Sequence, residues 1–275
     1  DEYILYAEND LTVANPNVCT VDDGMMKLEE LQEDVASEAS VLTDPCKNVA
    51  SYIEADNILY VDRQRNVTSV NNYITGLYNV VALLYNNENV NTSISEIKIW
   101  TAPDPYRKGN SSDCLNDFNN AMNSQGFNGD IAHLFTTSRT NIGGRAFVNI
   151  LCRSRNKSAI SNIGRNYRQF PTYSWTIEVV AHEMGHNLGS PHTHNCSWGP
   201  SRNQALDNCY ETEGSCGAGP PAIGGGTVMS YCHLTSFGIN FTKGFGQEPG
   251  DLIRSRVANA WCLGGAFEAE AQVMG

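Results

Sequence analysis

Residues 176–192 read TIEVVAHEMGHNLGSPH, and their spacing describes a metal site before the rest of the chain is considered. His182 and His186 are four residues apart, so on a helix they share a face with Cβ atoms about 6 Å apart, close enough for two imidazoles to hold one ion. Glu183 is rotated from His182 by roughly 100° on a helix, a poor angle for a third ligand and a good one for taking a proton from water at the metal. Gly189 can adopt a positive φ, which ends the helix and turns the chain so that His192 returns as the third ligand. The pattern is HExxHxxGxxH. Three neutral imidazoles leave one coordination position for water, the arrangement of a catalytic zinc, whereas a structural zinc is usually closed by four protein ligands. Two histidines at this spacing also arise by chance on helix faces, a reading that the glycine and third histidine weaken sharply.

The chain has 275 residues, 41% of them hydrophobic, enough for a sizeable core in one large domain or two small ones. No apolar run reaches the length of a membrane span, and the start, DEYILYAEND, has no basic or apolar region of signal-peptide type, so any signal is expected either to have been removed already or to lie outside this sequence. A formal net charge of −12 argues against nucleic acid or anionic membrane as a partner and permits calcium. Nine cysteines without CxxC pairs are many for a cytosolic enzyme; most are expected in disulfides of a secreted protein, with one left over.

In chain order, Tyr3–Ala7 is strand-like and Asp23–Ser40 carries apolar residues at helical spacing with acids between. Thr43-Asp-Pro-Cys46 breaks that pattern, giving an expected boundary between residues 1–45 and a domain at 46–263, followed by a tail or linker at 264–275. Within the domain the pattern is α/β. Strands are expected at Tyr52–Val61, Ile94–Trp100, Ile131–Thr136, Arg145–Leu151 and Ala159–Ile163, and helices at Ser69–Tyr85, Asp113–Ser124, Thr176–Leu188 and Phe245–Cys262. The opening βαβ implies a parallel pair. On the last helix Leu252, Ile253, Val257 and Trp261 are the expected apolar side, and the glycine-, proline- and cysteine-rich Asn195–Gly226 is read as a small subdomain stapled by disulfides.

HExxHxxGxxH followed by TVMSYC, with Met229 after the glycine run Gly224–Gly226, resembles the metzincin metalloproteases and their methionine turn. The AHLFT strand and the segment GGRAFVN are most similar to the reprolysin or adamalysin branch. The resemblance covers about Ala50 to Cys262 and implies a twisted five-stranded mixed sheet above the active-site helix, Met229 as an apolar floor beneath the zinc, and hydrolysis of extended peptides aligned on an edge strand within Gly143–Val148. It implies a secreted zinc endopeptidase acting on protein substrates as a monomer. Reprolysins usually carry aspartate directly after the third histidine; Thr193 stands there, which leaves the bracing of His192 without its usual residue. Tyr231 occupies a place that is a tyrosine ligand in serralysins and astacins, and two readings stand for it: a residue that stabilises the transition state, or a core tyrosine. His194 and His233 are read as surface residues or neighbours of the ligands without a metal role.

The reprolysin resemblance also implies a calcium site, with Glu54 and Asp113 at the matching places, and a Cys152–Cys262 disulfide. Cys196–Cys232, Cys209–Cys216 and Cys46–Cys114 are further pairings among many that the spacing permits. NPNVCTV at Asn15–Val21 is similar to the PKMCGV switch of reprolysin precursors, which makes Cys19 a zinc ligand of a latent zymogen and residues 1–45 a pro-segment remnant; a Cys19–Cys46 disulfide is the other reading. The rival function is an inactive metzincin-like adhesion or binding module. Such modules generally lose a ligand or the glutamate, and this chain keeps all four.

Overall fold

The computed structural model describes residues 20–21, 47–140 and 142–263. The expected strand at Tyr3–Ala7, the helix at Asp23–Ser40, Cys19, Cys46 and the tail lie outside these. One sheet runs through the molecule, built from β1 (Thr20–Val21), β2 (Asn48–Ala55), β3 (Asn91–Ile99), β4 (Ile131–Thr136), β5 (Gly144–Ala146) and β6 (Ser158–Asn162) in the order β1-β5-β6-β4-β2-β3. Every neighbouring pair is parallel except β5 with β6. The expected five-stranded mixed sheet is therefore present as β2–β6, and β1 is added along the outer side of β5.

The central strands are buried along their length, as parallel strands covered on both faces must be. Ser158 and Ser161 of β6 point to opposite faces because their spacing is odd. Ser158 Oγ bonds Asn119 of α3 (Ser111–Gln125), while Ser161 Oγ bonds Val179 of α4 (Trp175–Asn187), so α3 and α4 cover opposite sides of the sheet. The helix α2 (Val67–Asn86) starts where the Asn66 side chain accepts from Ser69 N at 2.9 Å, and it buries Val70, Tyr73, Ile74, Leu77, Tyr78, Val81, Leu84 and Tyr85 at helical spacing. Tyr85 closes the layer by donating to the Ala181 carbonyl of α4 at 2.7 Å.

Three expectations need correction. Tyr52–Val61 is not one strand: the Asp56 side chain accepts from Leu59 N at 2.8 Å and starts α1 (Asn57–Asp62), so a capping carboxylate inside an apolar run ends β2 at Ala55. The strand expected at Arg145–Leu151 stops at Ala146, because Asn149 N and Ile150 N leave the sheet to bond the His186 and Asn187 carbonyls at 2.9 Å each, satisfying the C-terminal end of α4. The last helix, α5 (Gln247–Asn259), buries Pro249, Gly250, Ile253 and Val257; Trp261 lies beyond its end and is 83% exposed.

Residues 189–246 have little regular structure and are held by disulfides. Cys152–Cys262 forms as the resemblance implied. The other bridges are Cys196–Cys216 and Cys209–Cys232, in place of the expected Cys196–Cys232 and Cys209–Cys216. Backbone pairing of Asn195 with Glu213, including Cys196 N to Glu213 O at 2.9 Å, sets Cys196 beside Cys216 and decides the connectivity. Cys114 is a buried free thiol on the inner face of α3, so the Cys46–Cys114 pairing is not made. Among the described residues no helix is long and apolar enough to cross a membrane.

Candidate metal centre

All residues of α4 from Thr176 to Asn187 are buried, which places His182, Glu183 and His186 on a rigid element inside the molecule. Gly189 follows with φ of +106°, a conformation that L side chains rarely adopt, and the chain doubles back through Ser190 N to Gly185 O at 3.0 Å. His192 consequently faces His186. The Nε2 atoms of His182 and His186 are 3.0 Å apart and those of His186 and His192 are 3.1 Å apart.

Each ring turns its other nitrogen to an acceptor. His182 Nδ1 bonds the Val228 carbonyl, His186 Nδ1 the Ser190 carbonyl and His192 Nδ1 the Glu213 carboxylate, all at 2.7 Å. Carbonyls and carboxylates only accept, so the protons sit on Nδ1 and three bare Nε2 lone pairs converge. Such lone pairs repel one another unless a cation lies between them. A tetrahedral zinc bound at about 2.0–2.1 Å would hold its nitrogens roughly 3.3 Å apart, a small relaxation from the spacing found here. Burial, with neighbouring imidazoles adding to it, keeps His182 and His186 well below the ordinary histidine range, and burial pushes His192 down to about 4 although Glu213 pulls the other way. Neutral rings are what metal ligation requires, so the three residues fit zinc.

The methionine turn closes the site from below. Besides Val228 O on His182, Met229 O accepts from Thr193 N at 3.1 Å, and a Cβ at Gly185, between the two helical histidines, would lie 2.5 Å from Met229 Sδ. Met229 is fully buried. Glu183 is fully buried as well, and a Cβ on Gly144 would strike its carboxylate, so β5 runs directly against this residue. Tyr231 is buried with its ring 4.7 Å from those of His192 and His194 and 6.1 Å from that of His182.

His194 and His233 are not surface residues. His194 is fully buried and stacks on His192 at 4.7 Å, and the His233 ring is nearly buried with Nδ1 3.1 Å from Glu178. A narrow cleft beside the site is lined by Trp175, Glu178, Val179, His182, Glu183 and His233. Sequence reasoning missed Glu213. It stands 21 residues after His192 in a loop without periodicity, and only knowledge of the Cys196–Cys216 bridge would have located it. Burial opposes its charge, yet hydrogen bonds from His192 and Asn195, with His194 close by, hold its carboxyl well below the usual carboxylate range.

The two carboxylates implied for calcium are engaged by the protein. Glu54 is fully buried and accepts from Tyr52, Trp100 and Tyr106, with Lys98 Nζ at 3.0 Å in the place a cation would take. Asp113, in the first turn of α3, pairs with Arg107 at 3.2 Å.

Among solved structures the chain resembles one titled "Structure of a chaperone-substrate complex", at 13% identity and a TM-score of 0.48, over 78% of this chain and 36% of that one. It thus spans about a third of the solved chain, and a likeness this slight carries no argument. The family comparison is of another kind: residues 46–240, which contain strands β2–β6, the buried helix α4, the three histidines and the methionine turn, match a reprolysin-type model described as metallopeptidase family M12. With the histidine triad converging inside that match, the chain belongs to metallopeptidase family M12, as a reprolysin-like metzincin.

Proposed function

We propose that the protein is a secreted zinc endopeptidase that hydrolyses extended protein substrates and is made as a latent precursor. The observation that carries the catalytic reading is the convergence of three Nε2 lone pairs beside a buried glutamate. Zinc held by His182, His186 and His192 would polarise the scissile carbonyl and acidify water. Glu183 takes the proton of the attacking water and hands it to the leaving amine, a role for which burial between His182 and β5 suits it. Tyr231, among the ligand rings, donates its hydroxyl to the developing oxyanion. Met229 supports the ligands from below.

A substrate in extended form would pair with β5, the strand that runs against Glu183. That side of β5 is where Thr20 and Val21 pair, opposite Arg145 and Ala146. Occupation of the substrate edge by the chain's own N-terminal segment supports latency, and Cys19 is the residue directly before Thr20. Disulfides at Cys152–Cys262, Cys196–Cys216 and Cys209–Cys232 support an oxidising, extracellular setting. Calcium at Glu54 and Asp113 rests on the acidic balance and the reprolysin resemblance, and would have to displace Lys98 from Glu54.

Glu183→Ala tests the central claim. It should keep one zinc per chain by elemental analysis while losing about 10²–10⁴-fold in peptide hydrolysis, since the glutamate is a base and not a ligand. Loss of the metal together with activity would remove the role assigned to it.

A further inference from the structure

Of the three ligands, His182 and His186 are oriented by backbone carbonyls, Val228 O of the methionine turn and Ser190 O of the turn that follows α4. His192 alone depends on a side chain, the carboxylate of Glu213, contributed from a loop with no helix or strand. Thr193, in the position where a bracing aspartate is usual, is used elsewhere: both its N and its Oγ1 are directed to Met229 O, at 3.1 and 3.4 Å.

Glu213 is held from several sides. Its N donates to His194 O at 3.1 Å, its carbonyl accepts from Cys196 N at 2.9 Å, and the Cys196–Cys216 bridge ties the two backbones a few residues further on. In the side chain, Oε2 accepts from Asn195 Nδ2 at 3.0 Å, while Oε1 accepts from His192 Nδ1 at 2.7 Å and lies 3.4 Å from His194 Nε2. The carboxylate therefore has a fixed place and orientation before any ligand arrives. Its charge also differs in kind from the two carbonyls: an anionic acceptor at Nδ1 makes Nε2 more basic and offsets part of a divalent ion's charge.

We propose that Glu213 is a positioning residue for the metal, replacing the missing aspartate from a distant, disulfide-anchored loop, so that it holds His192 in its Nδ1–H form with Nε2 aimed at zinc. This rests on His182, His186 and His192 being the zinc ligands, as argued above. Glutamine keeps an acceptor for His192 while removing the charge, whereas alanine removes both; the pair separates the two contributions.

The test is zinc affinity, measured by competition with a chromophoric chelator on the full chain as wild type, Glu213→Ala, Glu213→Gln and Glu211→Gln, the last an exposed neighbouring acid as control. Cobalt-loaded samples give a visible spectrum that reports ligand geometry independently of activity. Glu213→Ala should bind zinc about 10- to 100-fold more weakly with an altered cobalt spectrum, Glu213→Gln should fall between it and wild type, and Glu211→Gln should match wild type. Melting of the metal-free proteins checks the fold, and if Glu213→Ala is unfolded the glutamine variant decides alone. Affinity within twofold of wild type in a folded Glu213 variant overturns the proposal. A wild type that binds no stoichiometric zinc, or a His192→Ala variant that binds it normally, overturns the ligand assignment instead.

Discussion

At the scale of single residues, Gly185 shows how packing and chemistry share one position. It lies in the HExxH turn between the two helical ligands, and its lack of a side chain lets Met229 close beneath them, with Phe245 Cε1 at 3.2 Å from where a Cβ would stand. Gly185→Ala gains about 0.5–1 kcal/mol in helix propensity and loses about 1–3 kcal/mol by overpacking, so the net effect is destabilising. Truncating the obstacle should reverse the sign. In a Met229→Ala background, itself about 2–5 kcal/mol less stable than wild type, Gly185→Ala should become neutral or stabilising. Denaturant unfolding of the four proteins measures this coupling, and equal effects of Gly185→Ala in both backgrounds would show that the two residues do not meet.

Among the elements, α1 carries a pH dependence that its sequence hides. Asp56 caps it, yet burial pushes the carboxyl up to about 6, against hydrogen bonds from Thr136 and Leu59 N and the charge of Lys108, whose Nζ is 3.7 Å away. Because the folded value lies above the unfolded one, the native state binds more protons between about pH 4 and 6, and stability is greatest below that window and falls as pH rises through it. Asp56→Asn keeps an acceptor for the cap and carries no charge. It should match wild type below about pH 4 and exceed it by up to about 3 kcal/mol above pH 6. Unfolding curves across that range check the expectation, which fails if wild type and variant run parallel throughout.

For the molecule as a whole, the proposal of latency turns on what lies along β5. Thr20 and Val21 run parallel to it, on the side where a substrate strand would add. Three proteins compared on one peptide substrate decide the matter: the full chain, Cys19→Ala, and chain cut between Cys19 and Cys46. Latency requires the first to be slow and the other two fast, because zinc prefers a tethered thiolate to water and cutting the connection releases it. Equal rates in all three would rule out a switch at Cys19.

What could be read from the chain alone was whatever covalent spacing controls. Four residues of helix set His182 against His186, a glycine three residues on permits the return of His192, and the periodic run at Ser69–Tyr85 reads as a helix, which the structure extends to Val67–Asn86. Strands with strong local patterns, Ile131–Thr136 above all, were legible for the same reason. Tertiary structure decided the rest. The apolar run after Glu54 divides into strand and helix because Asp56 is buried as a cap, and β5 is short because its continuation serves the end of α4. The partners of Cys196 and Cys209, and the carboxylate that orients His192, come from loops in which no repeat of hydrophobicity records what will lie opposite. Such contacts follow from the folding of the whole segment 189–246, since a hydrogen bond between residues 192 and 213 depends on chain positions that local propensity does not determine.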